Sequence, residues 1–192
     1  MVLFFVIIFI IVVAIIIAVN TSKKEQKSIS QSTDIDIDAL HEEIENMKLR
    51  VQLFIQADIV GDERTKNAIN EGTYNGPWPK ERSDGGFLSL YDNLRILKIA
   101  GINYRKGIDR YVGRVDCVLV PEPQNEYDPN AIKIVAEDQH HLGYIPTDMT
   151  DFVREMASEK FPLKCVAVIN EAEDEDDGHR FFYGFVYIKK QE

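Results

Sequence analysis

The rhythm of apolar positions changes along the chain, and each change predicts a different element. Met1 to Val19 is an unbroken apolar run, MVLFFVIIFIIVVAIIIAV. As a helix rising ~1.5 Å per residue it extends roughly 28 Å, about the thickness of a hydrocarbon core, which predicts a transmembrane anchor over 1–19. Residues 20–35 are polar and serine-rich, with nothing to bury, and read as a tether. From about Asp36 to Ala57 the apolar residues Ile37, Leu40, Ile44, Met47, Val51 and Phe54 recur at alternating intervals of three and four. That is the stripe of an amphipathic helix. A coiled coil needs ~3 to 4 such heptads and this stripe is shorter, so it predicts either a helix packed on its own chain or a seam for a second copy or a protein partner through 37–54. GDERTKNAINEG can add a short helix, which gives a helical segment over 36–70. Residues 71–94 form an irregular linker punctuated by Gly76, Pro77, Pro79, Gly85 and Gly86. Trp78, set between two prolines, is either a partner anchor or a ring tucked onto the neighbouring domain.

From Arg95 the texture shortens. RILKIAGINYR, VDCVLV, NAIKIVAE, HHLGYI, LKCVAVI and RFFYGFVYIKK are β-branched or aromatic-rich runs bounded by Gly, Pro, Asn and Asp, the pattern of strands. Between the fourth and fifth lies one helix, TDMTDFVREMASE, with Thr147 as a candidate N-cap and Met149, Phe152, Val153 and Met156 as its buried stripe. The expected fold class is mainly β with helices (α+β): over 95–192, a small barrel of about six antiparallel strands plus one helix. A helical segment and one N-terminal transmembrane helix precede it. In the last strand Phe181, Tyr183, Phe185 and Tyr187 alternate with Phe182, Gly184, Val186 and Ile188, and alternation alone does not say which set faces the core.

Charge adds direction. A cleaved signal peptide would need a basic n-region, a shorter apolar stretch and a small-residue cleavage site, which this N-terminus lacks. Lys23, Lys24 and Lys27 follow the span and no side-chain charge precedes it, so the expected topology is single-pass with residues 20–192 in the cytoplasm. Two cysteines, Cys117 and Cys165, are no disulfide framework and suit a reducing compartment; both are expected in the core. The net charge of -10 argues against general coating of nucleic acid and against the soluble part lying flat on anionic lipid.

The segment PEPQNEYDPNAIKI, residues 121–134, carries the candidate chemistry. Asp128-Pro129-Asn130 has the residues of a type I turn. A turn alone leaves Tyr127 unexplained, together with Pro121-Glu122-Pro123 upstream and Gly143-Tyr144-Ile145-Pro146 downstream. Taken with IAGINYRKG and HHLGYIP, this ordered set resembles the HIRAN domain family, covering residues ~95–190 if the terminal strands belong to the barrel.

The resemblance implies an OB-like barrel that, in members attached to fork-remodelling helicases, captures the 3′-hydroxyl end of single-stranded DNA. Tyr127 and Asp128 fall on the positions that hold the terminal nucleotide in those members, and Tyr104 on a second stacking tyrosine. Phe181 or Phe182 falls near a third aromatic. The implied nucleic-acid-binding set is Tyr104, Arg105, Lys106, Tyr127, Asp128, Asn130, Tyr144 and Phe181. Asn103 stands where those members have arginine and Thr147 where they have lysine.

A stacked base is worth ~1 to 3 kcal/mol, so two tyrosines would make a sequence-tolerant platform. Asp128 would accept a charge-assisted hydrogen bond from a terminal hydroxyl and repel a phosphate there. The charge balance weakens such binding: Arg95–Arg114 holds six basic residues and one acid, whereas Val115–Glu192 holds seven and seventeen. The acidic run EAEDEDDGHR, Glu171 to Arg180, reads as a solvated hairpin loop that repels DNA within a Debye length of ~8 Å. Expected affinity is micromolar or poorer, with a shallow salt dependence. His140-His141 has no ligand-spaced partner for zinc and reads as a pair of exposed turn residues. Glu122, Glu126 and Asp128 offer a third reading, a metal-dependent nuclease cluster, against which the proline-rich spacing counts. No nucleophile with a base partner is present, so a non-catalytic module without cofactor is expected, and a protein-interaction adaptor that selects basic partners is the alternative.

Overall fold

A computed structural model describes residues 37–174 and 177–190. The apolar run 1–19 and the tether lie outside them, and among the described residues no helix is long and apolar enough to cross a membrane. The chain divides into two compact units, Met1–Leu49 and Arg50–Glu192. Helix α1, Ile37–Val60, has no glycine or proline in its length and stops at Gly61, whose φ of +84° suits a residue without Cβ. In the first unit Leu40, Ile44 and Met47 are half-buried and Ile37 is 41% exposed.

In the second unit α1 buries a face different from the one its apolar stripe predicts. Ile55 and Ile59 pack on the sheet, the Tyr187 hydroxyl donates to Gln52 Oε1 at 2.5 Å, and Gln56 is fully buried. These four positions follow an i, i+3, i+4, i+7 rhythm that includes two glutamines, and Leu53 and Ala57 are buried beside them. Gln56 is satisfied by the backbone of the following loop: Nε2 donates to Leu88 O at 3.2 Å and Leu90 N–H donates to Oε1 at 2.9 Å. Val51 and Phe54, the stripe's last members, are half-buried. Helix α2, Glu63–Glu71, is capped by Asp62, which accepts from Thr65 N–H at 3.0 Å.

Six strands make one antiparallel sheet in the order β1-β6-β5-β2-β3-β4, as the six short runs predict. They are β1 (Leu94–Lys98), β2 (Gly113–Pro121), β3 (Ile132–Ala136), β4 (His141–Tyr144), β5 (Leu163–Glu173) and β6 (Arg180–Lys189). The sheet curls into a half-barrel rather than a fully paired ring. Its ends meet at one bridge past β1, where Ala100 and Tyr144 exchange N–H···O bonds of 2.9 Å. Gly143 makes this approach possible: its φ is +152°, and a Cβ there would stand 2.5 Å from Ile99 Cγ2 and 2.7 Å from Ala100 O.

The concave side holds the main core, including Ile99, Ile102, Leu119, Ile134, Leu142, Ile169 and Val186, together with Val153 and Met156 of helix α3 (Thr150–Met156). Cys117 and Cys165 lie in this core. The outer side carries Leu94, Ile96, Val166, Val168, Phe185 and Tyr187 beneath the second half of α1. Thr147 is not an N-cap: it opens a 3-10 turn, and its carbonyl accepts from the Thr150 hydroxyl at 3.0 Å.

Candidate functional site

The loop between β2 and β3 is closed at its neck by Glu122 N–H donating to Ala131 O at 2.8 Å. Asn125 shapes the interior. Its Oδ1 accepts from the N–H groups of Tyr127 and Asp128 at 3.0 and 3.1 Å, and its Nδ2 donates to Glu122 Oε2 at 2.8 Å. The predicted turn is present: Ala131 N–H donates to Asp128 O at 3.0 Å, and Asp128 Oδ1 accepts from Asn130 N–H at 2.8 Å. The Asn130 carbonyl accepts from Arg154 Nη2 at 3.4 Å. Held this way, the loop projects Tyr127 into solvent with 95% of its surface free.

Tyr104 is 86% exposed, and apart from it and Tyr127 no large apolar side chain among the described residues exceeds 50%. It ends a 3-10 turn, Ile102–Tyr104, whose Ile102 is sunk in the main core. Asn103 fixes that turn to the start of β6: its Nδ2 donates to Phe182 O at 2.8 Å and Phe182 N–H donates to its Oδ1 at 2.6 Å. The side-chain amide thus imitates a neighbouring strand. Asn103 serves as a clamp between the turn and β6.

Tyr144 joins the two loops. Its ring lies under the Arg105 guanidinium, 5.1 Å from the centroid, and edge-on to His141 at 4.5 Å. Its hydroxyl donates to Glu122 Oε2 at 2.8 Å and accepts from Asn125 Nδ2 at 3.1 Å. Lys133 Nζ reaches Glu122 Oε1 at 3.3 Å. The donors from Asn125 and Tyr144, with Lys133 behind them, hold the Glu122 carboxyl down to about 2. Burial and the Glu122 charge raise the Tyr144 phenol.

The expected site residues therefore separate into groups. Tyr104, Tyr127, Lys106 and Asn130 are exposed; Asp128 and Arg105 are half-buried. Asp128 Oδ2 accepts no hydrogen bond from any described residue. Tyr144 is committed to the scaffold through its hydroxyl. Phe181 does not join Tyr104: it shares a sheet face with Tyr183, their centroids 6.3 Å apart, and Tyr183 packs on the outer cluster. Phe182 faces the main core that contains Ile102. The strand's alternation carries either assignment; in the structure Phe182 packs against the main core and Phe181 lies on the other face, beside Tyr183. Glu122 and Asn125 were missed as organisers; their i, i+3 spacing ahead of Tyr127 was the available signal.

His140 and His141 are half-buried rather than exposed. His140 stacks on Tyr111 at 4.6 Å, and His141 faces the Gly143 carbonyl with Nε2 at 3.0 Å. Desolvation, aided by Arg105, lowers the His141 pKa. Among the described residues no group of three or more His, Cys, Asp or Glu is placed to hold a metal ion.

Residues 95–184 match the family model of the HIRAN domain. Among solved structures, the chain is similar to the HIRAN domain of human HLTF, with 17% identity over 51% of this chain and 78% of that one and a TM-score of 0.34. It is also similar to a protein from Lactobacillus plantarum, with 19% identity over 48% of this chain and 91% of that one and a TM-score of 0.31. No curated protein matches.

Proposed function

We propose, taking residues 95–184 as a HIRAN domain, that this protein is a non-catalytic binding module whose Tyr104 and Tyr127 stack bases of single-stranded nucleic acid at a free 3′-hydroxyl end. The observation that carries the reading is the pair of tyrosines. These two are 86% and 95% exposed, on segments held by hydrogen bonds from Asn103 and Asn125, and each offers a free π-face of the kind on which bases stack. Stacking faces held in place before binding lose little entropy on capture. Arg105 and Lys106 follow Tyr104 and supply positive charge for the backbone.

Asp128 gives the end preference. Its Oδ1 is occupied by Asn130 N–H, and its remaining oxygen accepts the terminal hydroxyl. A 3′-phosphate at that place would meet a carboxylate and be repelled. The apolar run 1–19 would hold the module at a membrane, with residues 20–192 on the cytoplasmic side.

Fluorescence anisotropy with 3′-hydroxyl, 3′-phosphate and internal single strands tests this reading. Preference for the hydroxyl end, lost in Asp128→Ala, is the expected result. Equal binding of all three strands, or a hydroxyl preference that survives Asp128→Ala, overturns end capture. Loss of binding in Tyr127→Ala with retained fold separates stacking from general charge attraction.

A further inference from the structure

The two cysteines of the sequence, 48 positions apart, are brought face to face in the middle of the sheet. Cys117 of β2 and Cys165 of β5 are directly opposed partners in the antiparallel register. Opposed residues of antiparallel strands have Cα atoms ~4.5 or ~5.5 Å apart, and both values fall within the ~4.4–6.8 Å span of a disulfide. Their side chains point to the same face, and the sulfurs are 3.3 Å apart. Both thiols are free and buried in the main core. A cross-link therefore needs a closing movement of the two sulfurs and no rearrangement of the strands.

We propose that Cys117 and Cys165 are a redox modification site, converted by hydrogen peroxide into an intramolecular disulfide that joins β2 to β5. One sulfur, as thiolate, attacks a peroxide oxygen; the O–O bond breaks, leaving a sulfenic acid and a hydroxide that takes up a proton to become water. The second sulfur, having released its proton, attacks the sulfenyl sulfur; the S–S bond forms, the S–O bond breaks, and a second water leaves. Two thiols and one peroxide thus become one disulfide and two waters, with two electrons passing from sulfur to oxygen.

Burial sets the tempo. Desolvation pushes the Cys165 thiol well up, so the reacting thiolate is scarce and oxidation waits on local opening of the strands. The same enclosure shields the product from reductants, making the disulfide slow to form and slow to lose. It acts four residues before Pro121, where β2 hands over to the tyrosine-bearing loop. The inference stands apart from the nucleic-acid reading, because it concerns the core and not the ligand.

The test uses the reduced full chain, treated with hydrogen peroxide under native conditions, quenched, unfolded in denaturant and alkylated. The expected result is one linked peptide pair containing Cys117 and Cys165, protection of both from alkylation, and migration as a monomer without reductant. The thermal midpoint should rise by roughly 10 °C, as expected for closing a loop of this length. Strong reductant after unfolding should restore both thiols. Two alkylated cysteines after quenching, a chain-to-chain disulfide, or sulfinic and sulfonic acids in place of the link would each overturn the proposal.

Discussion

Replacing Asn125 with alanine should loosen the tyrosine loop and leave the barrel intact. The side chain makes two contacts that order the loop tip, accepting the Tyr127 and Asp128 N–H groups at 3.0 and 3.1 Å, one donated to the Tyr144 hydroxyl at 3.1 Å, and one charge-assisted contact to Glu122 at 2.8 Å. Neutral hydrogen bonds contribute about 1 kcal/mol each and charged ones about 2, and water recovers about half in an exposed loop, which leaves roughly 2.5 kcal/mol. At ~1.4 kcal/mol per decade this is about a sixtyfold rise in loop opening. Hydrogen exchange resolved at the Tyr127 and Asp128 amides reads that factor directly. The amides of Leu119 and Ile134, deep in the sheet, should keep their protection. If the Tyr127 and Asp128 amides exchange at the wild-type rate in Asn125→Ala, the loop is held by something else and the account of its rigidity fails. Affinity for a 3′-hydroxyl strand should fall only by the fraction of loops that the substitution opens, far less than the exchange factor, because the apparent Kd scales inversely with the ordered, ring-presenting fraction.

The Glu122 carboxyl, held at about 2 against an ordinary 4.5, titrates below its unfolded value, so its contribution is complete above about pH 5 and disappears as pH falls toward 2. Melting curves of wild type and Glu122→Gln should differ most near neutrality and converge in acid; a gap independent of pH would contradict the assignment. Gln56→Leu preserves volume but strands the Leu88 carbonyl and the Leu90 N–H, and should cost about 2–3 kcal/mol, lowering the midpoint by several degrees. An unchanged midpoint in Gln56→Leu would show that water replaces the amide.

The parts of the fold legible in the sequence are those where side-chain chemistry and burial agree. Strand runs such as VDCVLV and LKCVAVI are β-branched because they line a core, and the Asp-Pro-Asn triplet announces its turn by residue type alone. The reading falters where a polar residue is buried for its hydrogen bonds. Gln52 and Gln56 turn α1 by a face relative to its apolar stripe, since an amide that satisfies a hydroxyl or a backbone pair can be buried like an aliphatic side chain. The alternation of the last strand has two equal solutions for Phe181 and Phe182, and only the packing of Phe182 on a core assembled from distant elements distinguishes them. In the site, the exposed tyrosines were legible as unexplained aromatics. The support beneath them was not, because Glu122, Asn125 and Tyr144 come together only when β4 lies beside the loop.

Tyr144 has two duties on one residue: its main chain fastens the strip of strands to itself at Ala100, and its phenol steadies the loop that carries Tyr127. Mechanical integrity and ligand readiness are consequently a single property. Slippage of that fastening loosens the loop without any change to the loop's own sequence.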